Sequence, residues 1–519
     1  MRALLICTVA LSLTAAFATH SAFGQTPSPE AACSALAKLH VPGAMLSDIR
    51  PQWFPAGSPP PAPLAVKLPA YCRLDATLDA RTGADGRPYG IGFAIALPAN
   101  WNGRLLFQGG GGLNGSVAPP LGRVGAGDAA LARGFAVVTT DTGHKGAVFD
   151  ATFMQEQQAA LDFAYQAVGR VAVLAKQILA QHYGRPADRA YFMGCSTGGR
   201  EGMLMAQRYP TYFDGIIVGA PAMRTNFSGI GDEWVATMLN QAAPKDESGK
   251  PDLKRAFSDA DRKAIIDGLL NVCDAIDGLK DGIIMDPMGC RFDPKMIQCA
   301  GEKQDGCLSP VQVSAIQKGF AGPKDSKGRQ VYPGFLFDTG ITATGGIPGL
   351  LAGSVNPVGR PFTATEMDVD ARAEQAAANP QMILTATSTW TNLNTFSARG
   401  GKLIFYHGVS DPWFSALDTV DYYERMTKAN GGAEKVMAWS RLFLVPGMGH
   451  CGGGPAALDT FDMLNAIVEW VEQGKAPASI IATGRAFAGR TRPLCPYPQH
   501  AQYKGSGNPD DAASFECRE

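Results

Sequence analysis

The pentapeptide Gly194-Cys195-Ser196-Thr197-Gly198 stands between an apolar run, RAYFMG, and a helical pattern, REGMLMAQRYP. A strand–turn–helix junction of this kind constrains the chain tightly, because the glycines permit a sharp turn that lifts the serine oxygen above the end of a strand. The remaining sequence repeats the theme. The runs YGIGFAIALP, RLLFQGG, GFAVVTTD, FDGIIVGAP, KLIFYHGVSD and RLFLVPGMGH are short and apolar, and helical patterns over about 156–182 and 458–473 lie among them. Strands interleaved with helices predict the α/β class with a mostly parallel sheet.

Between about Met223 and Ser388 the alternation fails. That stretch carries four cysteines, several Asp-Gly turns and low-periodicity segments such as ATGGIPGLLAGS. It predicts a lid domain over 223–388, inserted into a catalytic domain formed by 25–222 and 389–519. The proline-rich stretch from Gln52 to Pro69 predicts an extended arm over a surface.

The first 24 residues have Arg2, an apolar run from Ala3 to Ala18, and small residues at Ala22 and Gly24. This is the pattern of a secretory signal peptide, which predicts a secreted or periplasmic protein. Cys7 begins the apolar run, whereas a lipid anchor would follow it, so no membrane anchor is expected. Losing Arg2 takes the formal net charge from −1 to −2. With no basic block and no acidic tract, the charge pattern gives no sign of a nucleic-acid partner. Ten cysteines remain after Cys7, an even number that favours five disulfides in an exported chain. Zinc is poorly supported, because no Cys-x2-Cys pair occurs.

Chemistry converges on three residues. Ser196 fits G-x-S-x-G, and in α/β hydrolases an acid and then a histidine follow, each after a later strand. Asp411 ends KLIFYHGVSD and His450 ends RLFLVPGMGH. Among the other histidines, His144 and His407 are the alternatives for the base. An oxyanion hole is expected from the Thr197 N–H together with that of Gly110 or Gly111 in FQGGGGLNG. Gly110 to Gly115 also matches G-x-G-x-x-G, but SVAPP follows and cannot open the helix a nucleotide site needs. A bond between Cys195 and Cys451 would tie the serine turn to the histidine loop.

GCSTGGREG, GVSDPWF, PGMGHCGGG and CDAIDGLKDGIIMDPMGC together resemble the tannase and feruloyl esterase family, which also contains the enzyme hydrolysing mono(2-hydroxyethyl) terephthalate. The resemblance spans nearly the whole mature chain. It implies an α/β-hydrolase core with a large inserted lid and hydrolysis of phenolic or aromatic acid esters, such as feruloyl or galloyl esters. It implies disulfides pairing Cys33 with Cys72, Cys195 with Cys451, Cys273 with Cys290, Cys299 with Cys307, and Cys495 with Cys517. Ser196, Asp411 and His450 match the family's triad, and His407 and Phe414 match pocket-lining positions. A lid calcium ion is implied at Asp274, Asp277 and Asp281, with backbone oxygens of Leu279 and Ile283; such clustered oxygens suit calcium. Terephthalate specificity would call for a lid arginine, for which Arg360 and Arg372 are candidates. The reading from a different class is a calcium-stabilised binding protein on an inactive hydrolase scaffold.

Overall fold

The computed structural model describes residues 27–61, 64, 66–123, 128–353 and 362–519. The expected signal segment lies outside the described residues, as does Arg360. Nine strands form the main sheet: β1 (Leu46–Phe54), β2 (Tyr71–Thr82), β3 (Pro88–Pro98), β4 (Arg104–Gln108), β5 (Ala136–Thr140), β6 (Arg189–Cys195), β7 (Gly215–Gly219), β8 (Lys402–Gly408) and β9 (Ser440–Val445). Their spatial order is β1-β2-β3-β5-β4-β6-β7-β8-β9. The first three strands pair antiparallel, and β3 joins β5 antiparallel. From β5 to β9 every pairing is parallel. Apolar side chains on both faces are buried there, as expected of a parallel sheet covered by helices on each side.

Parallel registry brings the functional ends of the strands together. Cys195 pairs with Gly219, Gly219 with Tyr406, and Gly408 with Val445. The turns after β6, β8 and β9 therefore open at one edge, where ligands bind in open α/β sheets.

Two features depart from the sequence expectation. Gln52 to Phe54 are not part of a loose arm but complete β1, with Gln52 opposite Arg73. Pro51 is tolerated because β1 is the sheet's edge strand. The long helix also has a break in its pattern: an α-turn at Gln157–Leu161 passes through a π-turn at Asp162–Gln166 before the helix Ala167–Tyr183. The guanidinium of Arg200 donates to the Phe163 and Ala164 carbonyls within that π-turn, meeting acceptors that a wider turn leaves open.

Between β7 and β8 the insertion has a core of its own. Helix Thr225–Asn240 contributes Val235 and Leu239, helix Asp259–Cys273 contributes Ile265 and Leu269, and helix Pro310–Ala321 contributes Ile316 and Phe320. Two of these helices begin with capping boxes, Ser258 with Asp261 and Ser309 with Gln312. Reciprocal capping fixes where each helix starts. Disulfides Cys273–Cys290 and Cys299–Cys307 lie within the insertion, while Cys33–Cys72 and Cys495–Cys517 secure the two ends of the chain.

Candidate active site

Ser196 follows β6 and precedes the helix Thr197–Arg208, with φ 64° and ψ −124°. A serine in that region carries roughly 1–3 kcal/mol of backbone strain and persists only where its surroundings hold it. They do so closely. A Cβ on Gly194 would lie 2.4 Å from the Gly198 carbonyl oxygen, and one on Gly198 would lie 2.6 Å from that of Gly110. The Ser196 N–H donates to the Gly219 carbonyl at 3.0 Å. Cys195 is buried and bonded to Cys451, with Cα atoms 6.0 Å apart. That bond sets the serine turn directly beside the loop after β9.

His450 sits on that loop, 7% exposed, and its Nδ1 lies 2.6 Å from Asp411 Oδ2. Burial pushes the Asp411 carboxyl upward, but electrostatic attraction to the His450 ring and hydrogen bonds from His407 and His450 outweigh it and hold it well below the usual carboxylate range. An ionised acid accepts, so Nδ1 carries the proton and Nε2 keeps the basic lone pair. Oδ1 of Asp411 accepts the N–H groups of Trp413 and Phe414 at 2.9 and 3.1 Å. The rings of Trp413 and Phe414 then flank the imidazole, with centroids 4.7 and 5.2 Å away. Phe149 meets Trp413 edge-on at 6.2 Å. These contacts give the histidine an aromatic wall, of which the sequence reading found only Phe414.

The insertion reaches into the same cluster. Oδ2 of the buried Asp338 accepts from Ser410 Oγ at 2.7 Å and from the Gly447 N–H at 2.6 Å. One carboxylate thus ties together the loops that carry the acid and the histidine. Tyr332 adds a second tie through its hydroxyl, which accepts the Ser415 N–H at 3.0 Å.

Residues 76–518 match the model of a family described as tannase and feruloyl esterase. The chain belongs to that family. It is a carboxylic ester hydrolase with an α/β-hydrolase fold. A mono(2-hydroxyethyl) terephthalate hydrolase from Piscinibacter sakaiensis is 40% identical, over 87% of this chain and 85% of its own length. A probable feruloyl esterase B-2 from Aspergillus terreus is 32% identical, covering 81% of this chain and 82% of its own. The crystal structure of feruloyl esterase B from Aspergillus oryzae superposes with a TM-score of 0.75 at 28% identity, covering 95% of this chain and all of that one.

Two expectations change, the pocket-lining role of His407 and the oxyanion role of Gly110, and His144 stays outside the site as a buried alternative. His407 does not line a pocket: it is 0% exposed, with Nδ1 2.8 Å from Thr419 Oγ1 and Nε2 2.9 Å from the Phe414 carbonyl. That carbonyl only accepts, so Nε2 is protonated and also faces Asp411 Oδ2 at 3.4 Å. The residue supports the acid from beneath. Gly110 cannot offer a free N–H to an oxyanion, because it donates to Glu201 Oε2 at 3.0 Å; of the two candidate glycines, Gly111 is left. His144, the other alternative base, stacks on Phe153 at 3.5 Å, and burial lowers its pKa to about 4.

The acidic loop of the insertion is wound around its own backbone. Asp274 accepts from the N–H groups of Asp281 and Gly282, Asp277 from those of Leu279 and Met285, and Asp281 from that of Ile283. Asp281 also pairs with Arg490 and Arg492. Burial pushes Asp277 up to about 7, and the charges of Asp281 and Asp274 add to the rise. Hard oxygens of this kind are the donors calcium takes. Among the described residues, no three Asp, Glu, His or Cys side chains come together around a common point. Arg372, a candidate for a substrate carboxylate, is already paired with Glu233.

Proposed function

We propose that the protein is a secreted serine esterase that hydrolyses esters of aromatic, phenolic carboxylic acids of the feruloyl or galloyl type. The observation that carries this reading is the His450–Asp411 pair, held by a disulfide against the strained turn of Ser196. In this mechanism Ser196 Oγ attacks the ester carbonyl carbon while its proton passes to His450 Nε2. The carbonyl oxygen becomes an anion facing the N–H groups of Gly111 and Thr197; one such donor is worth roughly 3 kcal/mol of transition-state stabilisation. Collapse expels the alcohol, which takes the proton from the imidazolium. Water, deprotonated by the same Nε2, then cleaves the acyl-enzyme and returns the proton to Ser196. Asp411 keeps its negative charge throughout and stabilises the imidazolium.

The insertion is the lid in this reading, which the bonds of Asp338 and Tyr332 to the loop after β8 support. Five disulfides support export, and no helix among the described residues is long and apolar enough to cross a membrane. Terephthalate monoesters are the second reading, favoured by the 40% identity to the hydrolase from Piscinibacter sakaiensis. Engagement of Arg372 by Glu233 weighs against it. Purified protein should turn over methyl ferulate or methyl gallate faster than mono(2-hydroxyethyl) terephthalate. The reverse order would transfer the assignment to the second reading. Ser196→Ala should abolish hydrolysis and labelling by a fluorophosphonate while leaving the melting temperature unchanged; full turnover by that variant would end the serine mechanism. A folded parent protein that never labels would favour the non-catalytic binding role.

Calcium completes the proposal. Asp274, Asp277 and Asp281, with the carbonyls of Leu279 and Ile283, would hold it, and the ion would neutralise carboxylates whose mutual repulsion contributes to the raised Asp277. Its role would be structural, because binding to the folded form alone stabilises that form. Chelation should lower the melting temperature, and added calcium should restore it. Identical melting curves, with no calcium by elemental analysis, would remove the ion from the assignment.

A further inference from the structure

The segment Arg200-Glu201 contains two charged side chains that the chemistry above leaves unused, and both are buried, at 2% and 0% exposure. Burying a carboxylate is costly unless its oxygens are met by donors. Those of Glu201 are met by two groups of one glycine turn: Oε2 accepts the Gly110 N–H at 3.0 Å, and Oε1 accepts Asn114 Nδ2 at 2.9 Å. The same turn is fastened by three further bonds, two to the serine helix and one to β6 before it. Gly198 N–H donates to the Gly110 carbonyl at 3.0 Å, Thr197 Oγ1 donates to the Gly112 carbonyl, and Gly109 N–H donates to the Met193 carbonyl at 2.9 Å. Beyond these anchors Gly111 is exposed, with nothing within 4 Å of where a Cβ would stand. It is the point at which the turn faces open space.

We propose that Glu201 is a positioning residue for the oxyanion hole: by occupying the Gly110 N–H and the Asn114 amide, it leaves the next N–H, that of Gly111, as the one presented beside Ser196. The glycine turn and the serine helix come from parts of the chain about 90 residues apart (Gly110 and Glu201 are separated by 91). A short side chain on either could not bridge them. Glutamate suits the bridge because both its oxygens accept and both its partners donate. Arg200, the adjacent residue, faces the opposite way onto the π-turn carbonyls of Phe163 and Ala164, and its charge offsets part of the cost of burying Glu201. Two successive residues of the serine helix thus brace it on both sides, one towards the glycine turn and one towards the helix behind it.

This inference rests on the serine esterase reading, and the experiment separates the two. The variants are Glu201→Met, Glu201→Gln and Asn114→Ala. Glutamine can still accept at one oxygen, and Asn114 Oδ1, which has no hydrogen-bond partner among the described residues, can turn to accept from its amide, so Glu201→Gln remakes both bonds and is the conservative control, while Glu201→Met keeps the length and removes both acceptors. Asn114→Ala leaves the carboxylate in place and removes one of its two donors. For each folded variant, kcat and KM are measured on methyl ferulate, together with the affinity for an aryl boronic acid, whose adduct with serine places an anionic oxygen in the hole. Expected for Glu201→Met is a roughly tenfold to hundredfold fall in kcat with KM within twofold, and a parallel loss of boronate affinity, whereas Glu201→Gln stays within a few-fold of the parent on both readouts. Asn114→Ala should show the Glu201→Met pattern more weakly. Wild-type kcat in Glu201→Met and Asn114→Ala, a fall in Glu201→Gln as deep as in Glu201→Met, or a fall in kcat with boronate affinity retained, overturns the positioning role. Should Ser196→Ala be as active as the parent, the esterase mechanism itself fails, whatever Glu201 does.

Discussion

Removing the ring of His407 would separate support of the acid from contact with substrate. The ring is sealed beneath Asp411, bonded to Thr419 and the Phe414 carbonyl, so His407→Ala leaves a cavity and releases the turn that aims the carboxylate. Such losses cost about 2–4 kcal/mol. Denaturant unfolding should show a destabilisation of that size, and kcat should fall while KM on an aryl ester stays within about twofold; a large rise in KM with kcat intact would place His407 in the pocket after all. Ser196, Asp411 and His450 were legible in the sequence because each closes an apolar run. Glu201, Asp338 and the supporting role of His407 were not. Their partners are backbone groups and side chains up to 109 residues away, and nothing in local spacing marks which buried carboxylate will find which N–H.

At the scale of elements, the end of β5 carries a buried carboxyl, that of Asp141. Asp141 bridges to β3 through the Gly92 N–H at 2.9 Å and also accepts from Gly143. Burial pushes its carboxyl up to about 7 against those hydrogen bonds, whereas an aspartate in an unfolded chain titrates near about 4. The folded protein therefore binds a proton between about pH 4 and 7 that the unfolded chain has released, and stability falls as pH rises through that window. Asp141→Asn mimics the neutral acid and should flatten this dependence. Melting temperatures measured from pH 4 to pH 8 would test it, and parallel curves for parent and variant would exclude Asp141 as the source. Strands β3 to β9 were readable as apolar runs bounded by glycine or polar turns. The first two strands escaped notice because β2 alternates buried and half-buried residues and β1 carries Pro51 at an edge. The π-turn escaped because the donor that meets its open carbonyls, Arg200, lies on another helix.

For the whole molecule, the Cys195–Cys451 bond closes the longest loop among the five disulfides, 256 residues. Chain-entropy arguments give such a closure on the order of 5 kcal/mol, with measured values often smaller. Replacing both cysteines by serine should lower the melting temperature and kcat together, since the bond spans both the fold and the approach of His450 to Ser196. A variant that loses stability but keeps full kcat would show that packing alone holds the histidine. That the chain had a sheet, an insertion and a clustered site was legible from the order of its segments. The grip of the insertion on the Asp411 and His450 loops through Asp338 was visible only in three dimensions.

The same bond sets a problem of timing. A chain emerging from its N-terminus exposes Cys195 long before Cys451, and Cys273, Cys290, Cys299 and Cys307 all pass in between. Each is a competing partner for a thiol that must wait. The insertion answers part of this by closing its own pairs over 17 and 8 residues, spans short enough to join soon after both members appear. A chain that oxidises in this order takes the intervening thiols out of competition before the histidine loop arrives, and the last long-range bond to form is the one that completes the site.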